Sequence, residues 1–211
     1  MNRELVRAVV WDYDGTLVDS LPRHYAALKV IFGRAGAKIP PLKTMCQWWY
    51  MPAGERFQAL GVHTPEREIW PLYDRLLGDR MYQIFLGVRE ALSGLRRRNI
   101  PSFVITAAPY PDHVQDCLAK HSLLSLISDL YCDRENKVKD LADVADRLEI
   151  EKRHVMFVGD MISDIADGRT AGVRTIGFDG GYGGRQVLLG AGAEDIIDTP
   201  TEIFRLIDLL D

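Results

Sequence analysis

Cysteine is scarce, with three in 211 residues. Cys46, Cys117 and Cys132 are odd in number and irregularly spaced. They form no C-x-x-C pair, so neither a zinc site nor a disulfide framework is suggested. A reducing cytoplasm is the natural setting. The N-terminus has no signal-peptide apolar core, and no apolar run is long enough to cross a bilayer, so no membrane partner is expected. Blocks of like charge are also missing: 26 Lys and Arg stand against 30 Asp and Glu, a net charge of −4. The densest basic spot, Arg96-Arg97-Arg98, is expected to close a helix before Asn99, where cations suit the helix dipole. No nucleic-acid partner is expected from it. Repeats and low-complexity tracts are absent. What is present is 47% hydrophobic and 27% charged, ordinary for a globular chain. The length suits one large domain, or a core with a small insert.

The most informative segment is Asp12-Tyr13-Asp14-Gly15-Thr16, directly after the apolar run Ala8-Val9-Val10-Trp11. In an extended chain, residues i and i+2 point to the same side. Both carboxylates can then face one small volume at the exit of a strand. Two such charges about 4 Å apart repel by roughly 4 kcal/mol at an effective dielectric of about 20. A proton or a cation must offset that cost. A hard divalent metal, most simply Mg²⁺, is the cation this chemistry favours. The same residues also open loops, since Asp and Gly suit turns. An EF-hand is excluded: counting from Asp12, its positions 5, 6 and 12 hold Thr16, Leu17 and Arg23.

Elsewhere short apolar strands alternate with helical patterns. Strands are expected over residues 5–11, 100–105, 130–132, 155–158, 173–178 and 193–197. Helices are expected over residues 21–35, 88–98, 109–121, 137–148, 163–171 and near 201–210. This alternation predicts an α/β fold, a parallel sheet with helices on both faces. Residues 40–85 break the pattern; they hold Trp48, Trp49 and Trp70, helical spacing, and expected breaks at Pro52, Gly61 and Pro71. They read as a small helical insert. In parallel sheets ligands bind outside the carboxyl ends of the strands. Asp12, Thr106 and Asp160 all fall at such ends.

Asp160 follows the run Val155-Met156-Phe157-Val158-Gly159, and Asp164 lies one helical turn further on. Acids in a first helical turn are favoured by the dipole alone. Beside Asp12 and Asp14, a shared metal site is the better reading. Thr106 ends the strand Phe103-Val104-Ile105, before the small Ala107 and Ala108. It either caps a helix or joins backbone N–H groups in an anion cradle. Lys137 and Lys139 open a further helix. A phosphate beside several carboxylates needs a second cation, which one of them can supply.

Together these pieces resemble the haloacid dehalogenase superfamily of phosphohydrolases over nearly the whole chain. The motifs are Asp12-Tyr13-Asp14-Gly15-Thr16-Leu17-Val18-Asp19-Ser20, then Val104-Ile105-Thr106, a lysine before a helix, and Gly159-Asp160-Met161-Ile162-Ser163-Asp164. Thr106-Ala107-Ala108-Pro109, Gly181-Tyr182-Gly183-Gly184 and Gly190-Ala191-Gly192-Ala193-Glu194 are similar to the phosphoglycolate phosphatase and β-phosphoglucomutase-like branch. The resemblance implies a Rossmann-like core over residues 1–18 and 86–211 with a helical cap over residues 19–85. It implies a Mg²⁺-dependent phosphatase acting on a small phosphomonoester metabolite, phosphoglycolate being the branch's example. Asp12 would be the nucleophile, forming an aspartyl-phosphate, and Asp14 the acid and then the base. Mg²⁺ would be held by Asp12, the Asp14 backbone carbonyl and Asp160, with Asp164 as a ligand or just behind one. Thr106, the Ala107 N–H and a lysine would bind the phosphoryl oxygens. Lys137 is favoured because Leu141 fits the family's register, with Lys139 the alternative. Two positions depart from the pattern: Ala107 stands where Asn is usual, and Val138 where Pro follows the lysine.

In the cap, Trp48-Trp49-Tyr50-Met51 is expected to pack the cap's own core. Arg56 is either a contact for an anionic substrate end or a solvated helix residue. His24 aligns with a hinge histidine of the β-phosphoglucomutase-like members. A sugar phosphomutase and a non-catalytic phospho-acceptor protein are the alternative functions; Asp14 argues for hydrolysis.

Overall fold

The computed structural model describes residues 5–47, 53–134 and 136–207. Trp48-Trp49-Tyr50-Met51 lies outside them. The chain divides into two compact units, residues 1–19 with 81–211, and residues 20–80.

The larger unit is the expected parallel sheet. Its strands are β1 (Ala8–Trp11), β4 (Ser102–Ile105), β5 (Asp129–Tyr131), β6 (Val155–Gly159), β7 (Arg174–Phe178) and β8 (Asp195–Ile197), in the spatial order β5-β4-β1-β6-β7-β8. β1 is buried on both faces. Val9 and Trp11 enter one core with Val104, Met156 and Val158, while Ala8 and Val10 enter the other with Phe103, Ile105 and Phe157. A strand covered twice needs an unbroken apolar run rather than alternation, which is what Ala8-Val9-Val10-Trp11 supplies. Helices α5 (Val88–Arg97), α6 (Pro111–Lys120), α7 (Val138–Arg147), α8 (Ile162–Ala171), α9 (Arg185–Ala191) and α10 (Ile203–Ile207) complete this unit. Arg96 and Arg97 occupy the last turn of α5, and Arg98 stacks 4.4 Å from the Phe204 ring.

Two elements of this unit are not evident from sequence. A short antiparallel pair joins β2 (Val18–Asp19) to β3 (Gln83–Ile84). It draws residues 81–85 into the sheet-bearing unit, although their composition groups them with the insert. Helix α9 forms inside the glycine-rich tail, where turn signals mask its Val187, Leu188 and Leu189.

The smaller unit holds α1 (Leu21–Arg34), α2 (Leu42–Gln47), α3 (Ala53–Ala59) and α4 (Glu66–Leu77). Leu28, Ile31, Phe32, Met45, Phe57, Val62 and Ile69 form its own core. The break expected at Pro71 does not occur, since α4 runs through it. Proline removes one helical hydrogen bond. Burial of Ile69 and the packing of Leu72 and Leu76 on this core hold the helix together across that gap.

Candidate active site

Three neighbouring strands end at one edge of the sheet. Asp12 follows β1, Thr106 follows β4 and Asp160 follows β6, each by one residue. The register pairs Trp11 with both Val104 and Val158, so Asp12 lies level with Ile105 and Gly159, and Thr106 and Asp160 each lie one residue further along. β1 is also where the strand order reverses: the chain winds outward through β4 and β5, then returns to β6 on the other side. Such a switch point opens a crevice at the strand ends.

The crevice gathers four charged side chains from distant parts of the chain. Lys137 Nζ donates to Asp12 Oδ1 at 2.5 Å and to Asp164 Oδ1 at 2.7 Å. One oxygen each from Asp12, Asp160 and Asp164 lies within 4.8 Å of the others. All four residues are buried, whereas Lys139 is exposed. Of the two lysines left open in sequence, Lys137 is the one that reaches the carboxylates. Its ammonium also lies 5.5 Å from the centroid of the Phe157 ring.

Asp160 is held from several directions. The Thr16 hydroxyl donates to its Oδ1 at 3.1 Å, and the Tyr182 N–H donates to its Oδ2 at 2.6 Å. The Gly183 N–H donates to its backbone carbonyl at 2.9 Å. Sequence reasoning linked Gly181-Tyr182-Gly183 to a family branch without a physical role; its role here is to cradle this carboxylate. A Cβ at Gly181 would sit 2.3 Å from Asp160 Oδ2 and 2.3 Å from the Gly15 carbonyl. Gly15 has φ +79°, and a Cβ there would sit 2.4 Å from Asp160 Oδ2. Gly181→Ala is expected to destabilise the protein by about 1–3 kcal/mol. It should also weaken the thermal stabilisation given by a divalent cation, as a melting series with and without the ion will read.

The electrostatics fit such an ion. Burial pushes the Asp12 carboxyl up to about 7; Lys137 opposes this, while Asp164 and Asp14 add to it. Burial also raises Asp160 well above the usual carboxylate range, with Asp12 and Asp164 contributing. Burial alone would lower the Lys137 pKa, but Asp12 and Asp164 more than offset it and hold the ammonium charged. Were all three clustered carboxylates ionised, one ammonium would leave two negative charges unbalanced in a buried volume. Hard oxygen donors with that excess suit a hard divalent cation.

The remaining sequence candidates are placed as follows. Asp14 is half-buried beside the cluster and near enough to act on Asp12, but its carboxylate is not among the clustered oxygens. Thr106 is buried, and its hydroxyl accepts from the Ala108 N–H at 3.1 Å; Ala107 is exposed beside it. In the smaller unit, His24 Nδ1 and the Tyr73 hydroxyl lie 2.5 Å apart. Arg56 is buried there, and burial lowers its pKa.

A family model described as "Haloacid dehalogenase-like hydrolase" matches residues 9–178. The chain belongs to this family. It is 26% identical to a phosphoglycolate phosphatase of Synechococcus elongatus, over 97% of this chain and 99% of the other. It is 28% identical to an N-acetylmuramic acid 6-phosphate phosphatase of Pseudomonas aeruginosa, over 100% of this chain and 97% of that one. The solved structure of a haloacid dehalogenase-like family protein from Streptococcus pneumoniae shares the fold. Its TM-score is 0.81 at 20% identity, covering 95% of this chain and 97% of that one. The chain is thus an enzyme of a hydrolase family, and its relatives' names agree with a phosphoric monoester hydrolase. Among the described residues no helix is long and apolar enough to cross a membrane.

Proposed function

We propose that the chain is a Mg²⁺-dependent cytoplasmic phosphatase that hydrolyses the phosphomonoester of a small carboxylic acid, of the phosphoglycolate type. The observation that carries this reading is the Lys137 ammonium bridging Asp12 and Asp164 at a strand-end crevice. The Lys137 ammonium favours the anionic, nucleophilic form of Asp12 against the burial that disfavours it.

An Asp12 oxygen attacks phosphorus, and the bond from phosphorus to the substrate oxygen breaks. Asp14, protonated at this stage, gives its proton to the departing oxygen. A water then attacks the aspartyl-phosphate. Asp14 takes the water's proton, the bond to Asp12 breaks, and inorganic phosphate leaves with Asp12 regenerated. Throughout, Lys137, the Thr106 hydroxyl and the Ala107 N–H hold the phosphoryl oxygens, so charge that builds there meets fixed donors. Asp12, Asp160 and the Asp14 backbone carbonyl would hold Mg²⁺, with Asp164 beside them; when bound, it supplies further positive charge against the same oxygens.

Residues 20–80, a compact helical unit of their own, are the proposed cap in this reading. The names of the two relatives support the substrate class, because each denotes a phosphomonoester of a carboxylic acid. The buried Arg56 guanidinium is the proposed partner of the carboxylate, and the His24–Tyr73 contact joins α1 to α4 in the same unit.

The test is phosphate release from a panel that includes phosphoglycolate, N-acetylmuramic acid 6-phosphate and hexose phosphates, with Mg²⁺ and with EDTA. Turnover of at least one carboxylated ester with Mg²⁺, and its loss in EDTA, is expected. Release from no phosphomonoester would overturn the reading.

A further inference from the structure

Lys137 occupies an awkward place in the backbone. It sits immediately before the first residue of α7, at the N-cap position. That position normally carries a short polar side chain, which folds back onto the free N–H groups of the first turn. A lysine cannot do this, and its positive charge opposes the helix dipole. Here its side chain is committed to Asp12 and Asp164. The N–H groups at this helix start must therefore find acceptors elsewhere.

They do so on both sides. The Lys137 N–H donates to Asp167 Oδ2 at 2.9 Å, and the Val138 N–H donates to Asn136 Oδ1 at 3.1 Å. Asp167 lies on α8, three residues after Asp164, so the two carboxylates share one face of that helix. Helix α8 thus grips Lys137 twice, at its ammonium through Asp164 and at its backbone through Asp167. The second grip matters because Val138 follows the lysine. A proline there would present no N–H and would bring a fixed φ to the helix start. Valine brings neither, leaving the local backbone less constrained.

We propose that Asp167 is a positioning residue that fixes the backbone of Lys137, and through it the ammonium, at the distance needed to hold Asp12 and the phosphoryl group. This rests on the phosphatase reading for its effect on turnover, but not for the bond itself. Asp167 is not among the clustered carboxylates, and its hydrogen bond is to the Lys137 N–H, so its effect is transmitted through Lys137. Small misplacement of a group at the reacting centre can cost up to about a hundredfold in rate.

The test compares Asp167→Ala, which removes the acceptor, with Asp167→Asn, which keeps an acceptor oxygen and loses the charge. Amide exchange at Lys137 is expected to quicken at least about tenfold in Asp167→Ala and to stay near wild type in Asp167→Asn. Well below the melting temperature, kcat/KM should fall about tenfold in the alanine variant and within about threefold in the asparagine variant. A purely structural role would lower the melting temperature and leave kcat/KM intact. Unchanged exchange, unchanged kcat/KM, or equal losses in both variants would overturn the proposal. If the wild type hydrolyses nothing, the phosphatase reading fails by itself. The positioning role is then decided by the Lys137 Cε resonance, which must move in Asp167→Ala and not in Asp167→Asn.

Discussion

Asp12→Asn is expected to abolish phosphate release, by about 10⁴-fold or more, while leaving the fold intact. The amide keeps the shape of the carboxylate and can still accept from Lys137, but it has no charge with which to attack phosphorus. The substitution also removes one of three buried negative charges. Asp12 is held high, at about 7, by burial, which Lys137 opposes and Asp164 and Asp14 reinforce. A group whose folded pKa lies above its unfolded value costs stability as pH rises through that interval. Wild type without divalent ion should therefore lose stability from about pH 4 to about 7, and Asp12→Asn should lose less of it over the same range. Thermal melts at several pH values, paired with phosphate-release assays, read both effects. Residual turnover above about a hundredth of wild type would remove Asp12 from the nucleophile's role.

Lys137→Ala should have the largest effect on stability. It takes the ammonium away from Asp12 and Asp164, both buried and both bonded to it. Removing one partner of a buried ion pair typically costs about 3–5 kcal/mol, because the other charge is left uncompensated. For a chain of this size that corresponds to a melting temperature lower by roughly 6–20 °C. A divalent ion should recover part of the loss, since it offsets the same carboxylates. Acid should shrink the difference from wild type, as protonation removes the charges that need a partner. A fall in melting temperature of under about 3 °C, with no dependence on divalent ion, would contradict the charge balance drawn for the cluster.

The sheet was legible because β1, β4 and β6 carry apolar runs closed by an acid or a hydroxyl. Asp12, Thr106 and Asp160 could be read as strand exits before any coordinates. What stayed hidden depended on partners that no local pattern specifies. Lys137 was favoured over Lys139 only by the family's register at Leu141, and it is the path of α7 that buries one and exposes the other. Asp167 showed no signal, since its partner is a backbone N–H thirty residues away. Helix α9 was masked by flanking glycines that belong to its ends and to the Asp160 cradle. The β2–β3 pair, two residues on each side, is too short for periodicity to register. Pro71 misled because packing on the insert's core outweighs one lost hydrogen bond.

The central place of β1 has a consequence for the chain during synthesis. β1 is made first, yet its two neighbours are β4 and β6. Val9 pairs with Ser102, 93 residues later, and with Met156, 147 residues later. At about 5–20 residues per second, β6 emerges roughly 7–30 s after β1. Until β4 emerges Ala8-Val9-Val10-Trp11 has neither partner, and until β6 emerges one of its edges stays open, the kind of segment that invites wrong pairings. A nascent chain halted before residue 155 has made Asp12, Asp14, Thr106 and Lys137 but lacks the β6 strand on which β1 closes. Such a chain is expected to be the form most prone to aggregate and most dependent on chaperones.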